Sequence, residues 1–217
     1  MPTSRRQFLT SASALAAAST LPIDLFADDL QKTAAMAEGP FYPDKLPLDT
    51  DNDLILLNDA TASAVGEVTY LTGRVLSKSG QPIRNASVEI WQCDGNGVYL
   101  HSGSSTPDRR DGNFQGYGRF LTNAKGEYCF RTIKPVAYPG RTPHIHVAVN
   151  QNGHRILTTQ MFINGDASNE RDGLIRRIKD PIARKTLMVD FKAMPEAKTR
   201  TWQANFEIVL GRTPEDA

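Results

Sequence analysis

Short stretches in which hydrophobic and polar residues alternate follow one another along the chain from about residue 66. An alternation with a period of two places successive side chains on opposite faces, so each stretch predicts a β-strand. Gly, Pro, Asn and Ser cluster between the stretches and are typical of turns. The stretches read EVTYLTGRVL, NASVEIWQCD, GRFLT, EYCFRTI, HIHVAVN, RILTTQMF and NFEIVLG. The pattern predicts an all-β fold, a two-sheet β-sandwich with long loops and little helix.

A tight turn and a long loop stand out between the predicted strands. Asn152-Gly153 after HIHVAVN is a strong signal for a β-hairpin, and His154 lies just past it, where an exposed polar residue is expected. The Gly-rich connection from 94 to 119 is far longer than a turn, and long loops inside compact domains usually serve function. We therefore expect this loop to contribute to a functional site.

One segment, from 169 to 187, has helix-like spacing. Its apolar residues Leu174, Ile175 and Ile178 would share one helical face, and Pro181 marks a boundary. We expect this helix to cap the edge of the sandwich.

The composition is that of an ordinary globular domain. The chain has 217 residues, of which 40% are hydrophobic and 23% charged, enough to bury the core of a single domain. The formal net charge of +1 provides no basic field, and no Lys/Arg block interleaved with aromatic residues occurs. These features argue against a nucleic-acid partner.

The N-terminus resembles a twin-arginine export signal. Arg5 and Arg6 precede an Ala-rich apolar run that stays uncharged up to Asp24 and is short for a membrane span. We expect residues 1–28 to be a signal peptide and residues 29–217 to be the mature domain, exported to the periplasm or secreted, with no membrane contact after cleavage. An uncleaved membrane anchor is the alternative.

The chain contains two cysteines, Cys93 and Cys129. In an oxidising compartment they could pair, but one pair in a chain of this size is not a disulfide framework. The sequence leaves a disulfide and two free thiols equally open.

The pair His144 and His146 is the first chemical signal. In a strand both imidazoles point to one side of the sheet and Ile145 to the other, whereas helical spacing would separate the rings by about 200°. Tyr138 precedes the pair in the same segment. A metal site and two hydrogen-bonded sheet histidines both stay open on this evidence. Tyr99, in the long loop, reads by itself as a packing aromatic residue.

Five motifs occur in order along the chain. They read GPFYPD, VEIWQCDGNGVYLH, DGNFQGYGRFLT, GEYCFRTIKPVAYPGRTPHIHV and LTTQMF. Together they resemble the intradiol ring-cleavage dioxygenases, and the length is more similar to protocatechuate 3,4-dioxygenase subunits than to catechol 1,2-dioxygenases. The resemblance covers most of the chain and implies the β-sandwich of that family.

The resemblance also implies Fe(III) bound by two tyrosinates and two histidines, which fall on Tyr99, Tyr138, His144 and His146. Ionising a free phenol with a pKa of about 10 costs about 4 kcal/mol at pH 7 unless a cation compensates. Ferric iron is hard and highly charged, and it suits anionic oxygen together with imidazole. Zinc fits less well, because zinc sites prefer His, Cys and carboxylate and no acidic residue adjoins the His pair.

The reaction that the resemblance implies opens a catechol-type ring between its two hydroxylated carbons with O2 and gives a cis,cis-muconate-type product. Tyr138 would leave the metal when substrate binds and accept a proton. Arg141 matches a family arginine that stabilises negative charge on the substrate ring, and Gln160 a glutamine beside it. Tyr42, in GPFYPD, would line the substrate pocket. His101 is expected near the ligands but not among them.

The chain departs from the family in the link between Tyr138 and His144, which is the compact PGRTP. Protocatechuate and catechol enzymes carry a longer loop there, so the identity of the catechol stays open. A non-catalytic transthyretin-like β-sandwich is an alternative that shares the strand pattern but leaves the Tyr and His set unexplained. A zinc hydrolase would need a carboxylate or a third His ligand. The family assembles in several ways, which favours a homo-oligomer without fixing its size.

Overall fold

Two five-stranded sheets form the protein. The computed structural model describes residues 29–57, 61–197 and 199–211. The strands are β1 (Val68–Leu76), β2 (Ser87–Trp91), β3 (Tyr117–Leu121), β4 (Glu127–Ile133), β5 (His144–Gln151), β6 (His154–Ile163), β7 (Met188–Val189), β8 (Phe191–Ala193), β9 (Thr201–Asn205) and β10 (Ile208–Val209). The predicted all-β fold is confirmed.

Strand β1 is the centre of the first sheet. It pairs antiparallel with β4 on one side and parallel with β9 on the other, while β10 continues the pairing beyond the end of β9 and β8 pairs with β9. The second sheet has the order β3-β2-β5-β6-β7, so that β5, which carries the His pair, lies in its middle. A central strand is paired on both edges, which fixes the register of its side chains.

The hydrophobic core lies between the two sheets. Leu71 and Phe130 from the first sheet pack in one buried cluster with Val88, Ile145 and Val147 from the second. Because side chains alternate along a strand, the other face of β5 carries the two histidines and Ala148 away from this core. The candidate chemistry therefore lies on the outer face of the second sheet.

The predicted hairpin after β5 is confirmed. Asn152 and Gly153 have φ angles of 50° and 75°, the left-handed conformation that a two-residue turn of this type needs. Gln151 and His154 form the closing pair of β5 and β6, and His154 is exposed as expected.

The prediction of a single helix from 169 to 187 is wrong. The segment instead forms two 3₁₀ turns, Ala167–Arg171 and Ile175–Arg177, followed by a five-residue helix, α1 (Pro181–Lys185). Asp180 caps the start of α1 through its side chain, so the Asp-Pro pair begins a helix rather than ending one. The apolar residues do pack against the second sheet, since Ile175 and Leu187 lie against Phe162.

Both cysteines are free thiols: Cys93 is buried and Cys129 is exposed. The expected signal peptide, residues 1–28, lies outside the described residues. Along the described ranges, no helix has the length and apolar character that a membrane crossing requires.

Candidate metal centre

The two histidines of β5 converge as their two-residue spacing predicts. Both rings are buried, and the Nε2 atoms of His144 and His146 lie 3.1 Å apart. Pairing with β2 and β6 fixes their strand, with Trp91 opposite His146 on one side and Gln160 opposite it on the other. A rigid strand in mid-sheet thus aims both imidazoles at one point.

Tyr99 reaches this point from the long loop. Its hydroxyl lies 3.3 Å from Nε2 of His144 and 3.2 Å from Nε2 of His146. The buried carboxylate of Asp94 shapes the loop just before the tyrosine, because Oδ1 accepts hydrogen bonds from the backbone N–H groups of Asn96 and Val98. The loop conformation is therefore fixed locally, as in an Asx turn.

Tyr138 completes the group of four. Its ring meets that of Tyr99 edge-on with 5.4 Å between centroids, and its centroid lies 5.5 Å from that of His144. A turn closed by the hydrogen bond from Arg141 N to the Tyr138 carbonyl, with Gly140 at φ 81°, presents the side chain. Tyr138 is half-buried, whereas Tyr99 is fully buried.

Arg141 and Gln160 lie side by side next to Tyr138. The Nη2 group of Arg141 donates to Oε1 of Gln160 at 2.5 Å, and the Nε group donates to Oδ2 of Asp172 at 2.8 Å. The Nη1 group lies 3.5 Å from the Tyr138 hydroxyl. Nothing in the sequence pattern had singled out Asp172, which is 31 residues away along the chain.

Aromatic rings cover the cluster. Trp91 stacks on His146 at 4.8 Å with 12° between planes, and Phe41 stacks on Tyr99 at 5.0 Å with 19° between planes. Phe41 also meets Tyr138 edge-on. These rings shield one side of the cluster from water and lower the local dielectric constant.

Tyr42 and His101 lie farther from the four residues. The Tyr42 hydroxyl donates to Oε2 of Glu89 at 3.1 Å, and its ring packs edge-on against Trp91. The ring of His101 contacts Phe41 edge-on, and its Nδ1 accepts from the N–H of Gly103. Phe41, the neighbour of Tyr42 in GPFYPD, thus has a side chain that touches candidate ligands. The pocket role of Tyr42 stays a prediction.

Burial sets the protonation of the cluster. Burial, reinforced by the positive charge of Arg141, lowers the pKa of His144 to about 4. Burial and His144 likewise hold the pKa of His146 well below its usual value, so both rings are neutral near pH 7. Burial raises the pKa of both Tyr99 and Tyr138, and the positive charge of Arg141 partly opposes this rise. The phenols can therefore ionise near neutral pH only if a cation compensates.

The donor atoms fit a metal cation. His144 Nδ1 lies 2.7 Å from the Thr142 carbonyl, to which Nδ1–H donates a hydrogen bond, so Nε2 carries a lone pair. The Nδ1 atom of His146 is buried without a hydrogen-bond partner. With the proton of His146 on Nδ1, the Nε2 atoms of both histidines carry lone pairs, and a cation between them can accept a lone pair from Tyr99 and from both histidines. Two phenol oxygens with two imidazoles match hard, trivalent iron.

A zinc hydrolase finds no support in the side chains around this point. Among the residues described, no group of three or more His, Cys, Asp and Glu side chains is arranged to hold a metal ion. Among these residues, no carboxylate or third histidine is therefore placed together with the two histidines as such an enzyme would need.

Comparison with known proteins agrees with the geometry. The family model described as Dioxygenase matches residues 37–212. The chain is 36% identical over 169 residues to the protocatechuate 3,4-dioxygenase beta chain of Burkholderia cepacia, covering 74% of this chain and 71% of that protein. It is 32% identical over 178 residues to catechol 1,2-dioxygenase 2 of Acinetobacter lwoffii, covering 70% of this chain and 62% of that protein.

A solved structure shares the fold. The dioxygenase domain of a dioxygenase and carbohydrate-binding protein fusion from Streptomyces sp. SirexAA-E superposes with a TM-score of 0.64 at 28% identity. The match covers 84% of this chain and 100% of that domain. The β-sandwich is thus common to both proteins.

Proposed function

The chain belongs to the intradiol ring-cleavage dioxygenase family, and we propose that it is a ferric enzyme that opens a catechol-type ring between its two hydroxylated carbons. The products would be cis,cis-muconate-type diacids that contain both atoms of O2. One observation carries the proposal: the hydroxyl of Tyr99 and the Nε2 atoms of His144 and His146 meet within 3.3 Å, with Tyr138 beside them.

Four residues would hold the iron: Tyr99, Tyr138, His144 and His146. When bound, the ferric ion would lower the pKa of a catechol and draw electron density from its ring, so that the ring carbon can react with O2. Neutral imidazoles together with phenols that ionise to balance the charge of the cation would give a site with low net charge. Before the metal binds, neutral phenols and imidazoles tolerate burial better than a set of ionised carboxylates would.

Tyr138 is the candidate for proton transfer. It is half-buried and borders Arg141, whereas Tyr99 is enclosed between two histidines and Phe41. A phenolate that leaves the metal can take a proton from a substrate hydroxyl at its own oxygen. The guanidinium beside it would stabilise the negative charge that remains on the substrate, and Gln160 holds the guanidinium from behind.

The aromatic cover would keep bulk water from the reacting atoms. Phe41 lies against Tyr99 and Tyr138, and the fully buried Trp91 lies against His146. Exclusion of water strengthens the interaction between Arg141 and a substrate anion, because less solvent screens it.

The alternative of a non-catalytic β-sandwich binding module accounts less well for the site. Such a module needs the strands but gives no reason for two buried, neutral histidines to face a buried phenol. The family match extends from residue 37 to residue 212 and so includes the site as well as the scaffold.

Export by the twin-arginine route is proposed from the N-terminal sequence alone. Cleavage after residue 28 would leave intact the buried Thr33, which exchanges two hydrogen bonds with the backbone of Val209. The mature domain that we propose, 29–217, would therefore keep the contacts that anchor its N-terminus. Mass spectrometry of the exported protein would test the cleavage, and light scattering would test the expected homo-oligomer.

Iron-loaded protein tests the function directly. Tyrosinate bound to ferric iron absorbs visible light by charge transfer, so we expect a coloured protein that takes up O2 with a catechol. A panel of catechol, protocatechuate, hydroxyquinol and larger catechols would identify the substrate. A fully loaded but colourless protein that consumes no O2 with any of them would contradict the proposal.

A further inference from the structure

The guanidinium of Arg141 is held along two of its edges. Nε donates to Oδ2 of Asp172 at 2.8 Å, and Nη2 donates to Oε1 of Gln160 at 2.5 Å. The third group, Nη1, lies 3.5 Å from the hydroxyl of Tyr138. A guanidinium is a rigid planar fork, so fixing two of its groups fixes the direction of the third. Asp172 and Gln160 together therefore determine where Nη1 points.

Asp172 is itself firmly held. Its Oδ2 also accepts from the N–H of Thr142 at 3.1 Å, and its Oδ1 accepts from the N–H groups of Leu174 and Ile175 at 2.9 and 3.2 Å. The side chain is 0% exposed, and that of Arg141 is 14% exposed. Four N–H donors around a carboxylate that water does not reach leave it little freedom to move.

The segment around Asp172 is tied to the turn that carries Arg141. The Thr142 hydroxyl bonds to the hydroxyl of Ser168 at 2.6 Å and donates to Oδ1 of Asn169 at 2.9 Å. These contacts join the first 3₁₀ turn to the residue that follows Arg141. The segment from 167 to 177 thus forms a support behind the guanidinium as well as a cover for the sheet edge.

We propose that Asp172 is a positioning residue for ring cleavage, a role that rests on the proposed function of the site. It holds the Arg141 guanidinium so that Nη1 faces Tyr138 and the substrate oxygen that binds beside it. Asp172 acts through Arg141, so its contribution exists only when Arg141 is present.

A double-mutant cycle separates this role from a purely structural one. Asp172→Asn should lower kcat by about 10- to 100-fold, the usual cost of losing such a supporting partner, with little change in KM and with the visible band retained. In the Arg141→Ala background the same substitution should cause no further loss of kcat. If the double variant instead lost kcat by the product of the two single-variant losses, Asp172 would act independently of Arg141, and the proposal would be overturned.

The matched control is Asp166→Asn. Asp166 caps the first 3₁₀ turn of the same segment by accepting from the N–H of Ser168 at 2.8 Å. The Asp166→Asn substitution should alter thermal stability without changing kcat. A loss of kcat equal to that of Asp172→Asn would mean that any weakening of the segment impairs the enzyme, which would also overturn the proposal.

A second measurement needs neither iron nor turnover. An arginine-specific dicarbonyl reagent, with the modified residue mapped by mass spectrometry in the metal-free full chain, reports how firmly Arg141 is held. Asp172→Asn should make Arg141 react several-fold faster, and Asp166→Asn should not. An unchanged rate would overturn the link between the two residues. A faster rate in a protein that cleaves no catechol would overturn the proposed function while leaving that link in place.

Discussion

The Nη1 atom of Arg141 lies 3.5 Å from the hydroxyl of Tyr138, the residue three positions before it. The backbone of the same two residues closes a turn, with Arg141 N donating to the Tyr138 carbonyl at 2.9 Å. This short turn therefore delivers both a candidate ligand and a fixed positive charge to one place. Tyr99 has no such turn and is instead enclosed by both histidines.

Tyr138→Phe should reduce kcat by about 100-fold while iron is retained. The phenol is the group that we expect to take the substrate proton, and losing a general base typically costs that much or more. Three ligands remain to hold the metal, so the visible band should shift rather than vanish. Iron content, the absorption spectrum and steady-state kinetics check this, and an unchanged spectrum would remove Tyr138 from the set of ligands.

Arg141→Ala should leave the colour and lower kcat by about 100-fold, since it removes a fixed donor beside developing charge. It should also cost about 1 to 3 kcal/mol of stability, because the buried Asp172 carboxylate loses its charged partner. Arg74→Ala is the control, since Arg74 pairs with Glu207 on the exposed face of the first sheet and its loss should cost less than about 1 kcal/mol. Full activity of Arg141→Ala would restrict Arg141 to a structural role.

The local pattern of the sequence accounts for much of the fold. Strand β5 was predictable because Ile145, Val147 and Val149 alternate with residues on the opposite face of the sheet, and their side chains enter the core. The structure of 169–187 was not predictable in the same way, because apolar spacing alone cannot distinguish one helix from separate turns. Asp180 and Pro181 in fact start a new helix. Asp172 ends the first 3₁₀ turn and accepts a hydrogen bond from Arg141, a contact that no local pattern contains.

The candidate site was predictable to the extent that it depends on strand geometry and motif resemblance. The spacing of His144 and His146 requires only the period of a strand, and the structure brings their Nε2 atoms to 3.1 Å. Phe41 was missed because the stacking of its ring on Tyr99 joins two distant segments. Such contacts depend on the path of the whole chain rather than on neighbouring residues.

Gly73→Ala should destabilise the protein by about 3 kcal/mol or prevent folding, because a tightly packed site resists added volume. A methyl group there would collide with the carbonyl oxygen of Phe206 and with the ring of Tyr128. Those two groups cannot move apart easily, since the Tyr128 hydroxyl donates to that carbonyl at 2.6 Å. Thermal or urea unfolding measures the loss.

The control for Gly73 is Gly112→Ala. Nothing lies within 4 Å of a methyl group at Gly112, so this change should shift stability by less than about 1 kcal/mol. Equal effects of the two substitutions would contradict the close packing around strand β1.

One of the two thiols should react with a thiol reagent at pH 8, and both should react after denaturation. Cys129 is exposed, whereas burial raises the pKa of the Cys93 thiol to about 12. A raised pKa keeps the thiol protonated, and the thiolate is the reactive form. Because an unfolded thiol ionises from about pH 9, this shift also makes stability fall as pH rises from about 9 to about 12. Two reactive thiols in the folded protein, or none after denaturation, would contradict the structure.

Phe41→Ala and Tyr42→Phe decide which residue of GPFYPD contacts the substrate. Phe41 stacks on Tyr99 and meets Tyr138 edge-on, whereas the Tyr42 hydroxyl is committed to Glu89. Removing the Phe41 ring should raise KM about tenfold, equivalent to about 1.4 kcal/mol of lost binding. Removing only the Tyr42 hydroxyl should leave KM within about twofold, because a hydroxyl bonded elsewhere adds little to binding. Steady-state kinetics with the best catechol of the panel measures both, and circular dichroism checks that each variant is folded. If Tyr42→Phe raised KM and Phe41→Ala did not, Tyr42 would line the pocket as the sequence predicts, and Phe41 would serve only to cover Tyr99 and Tyr138.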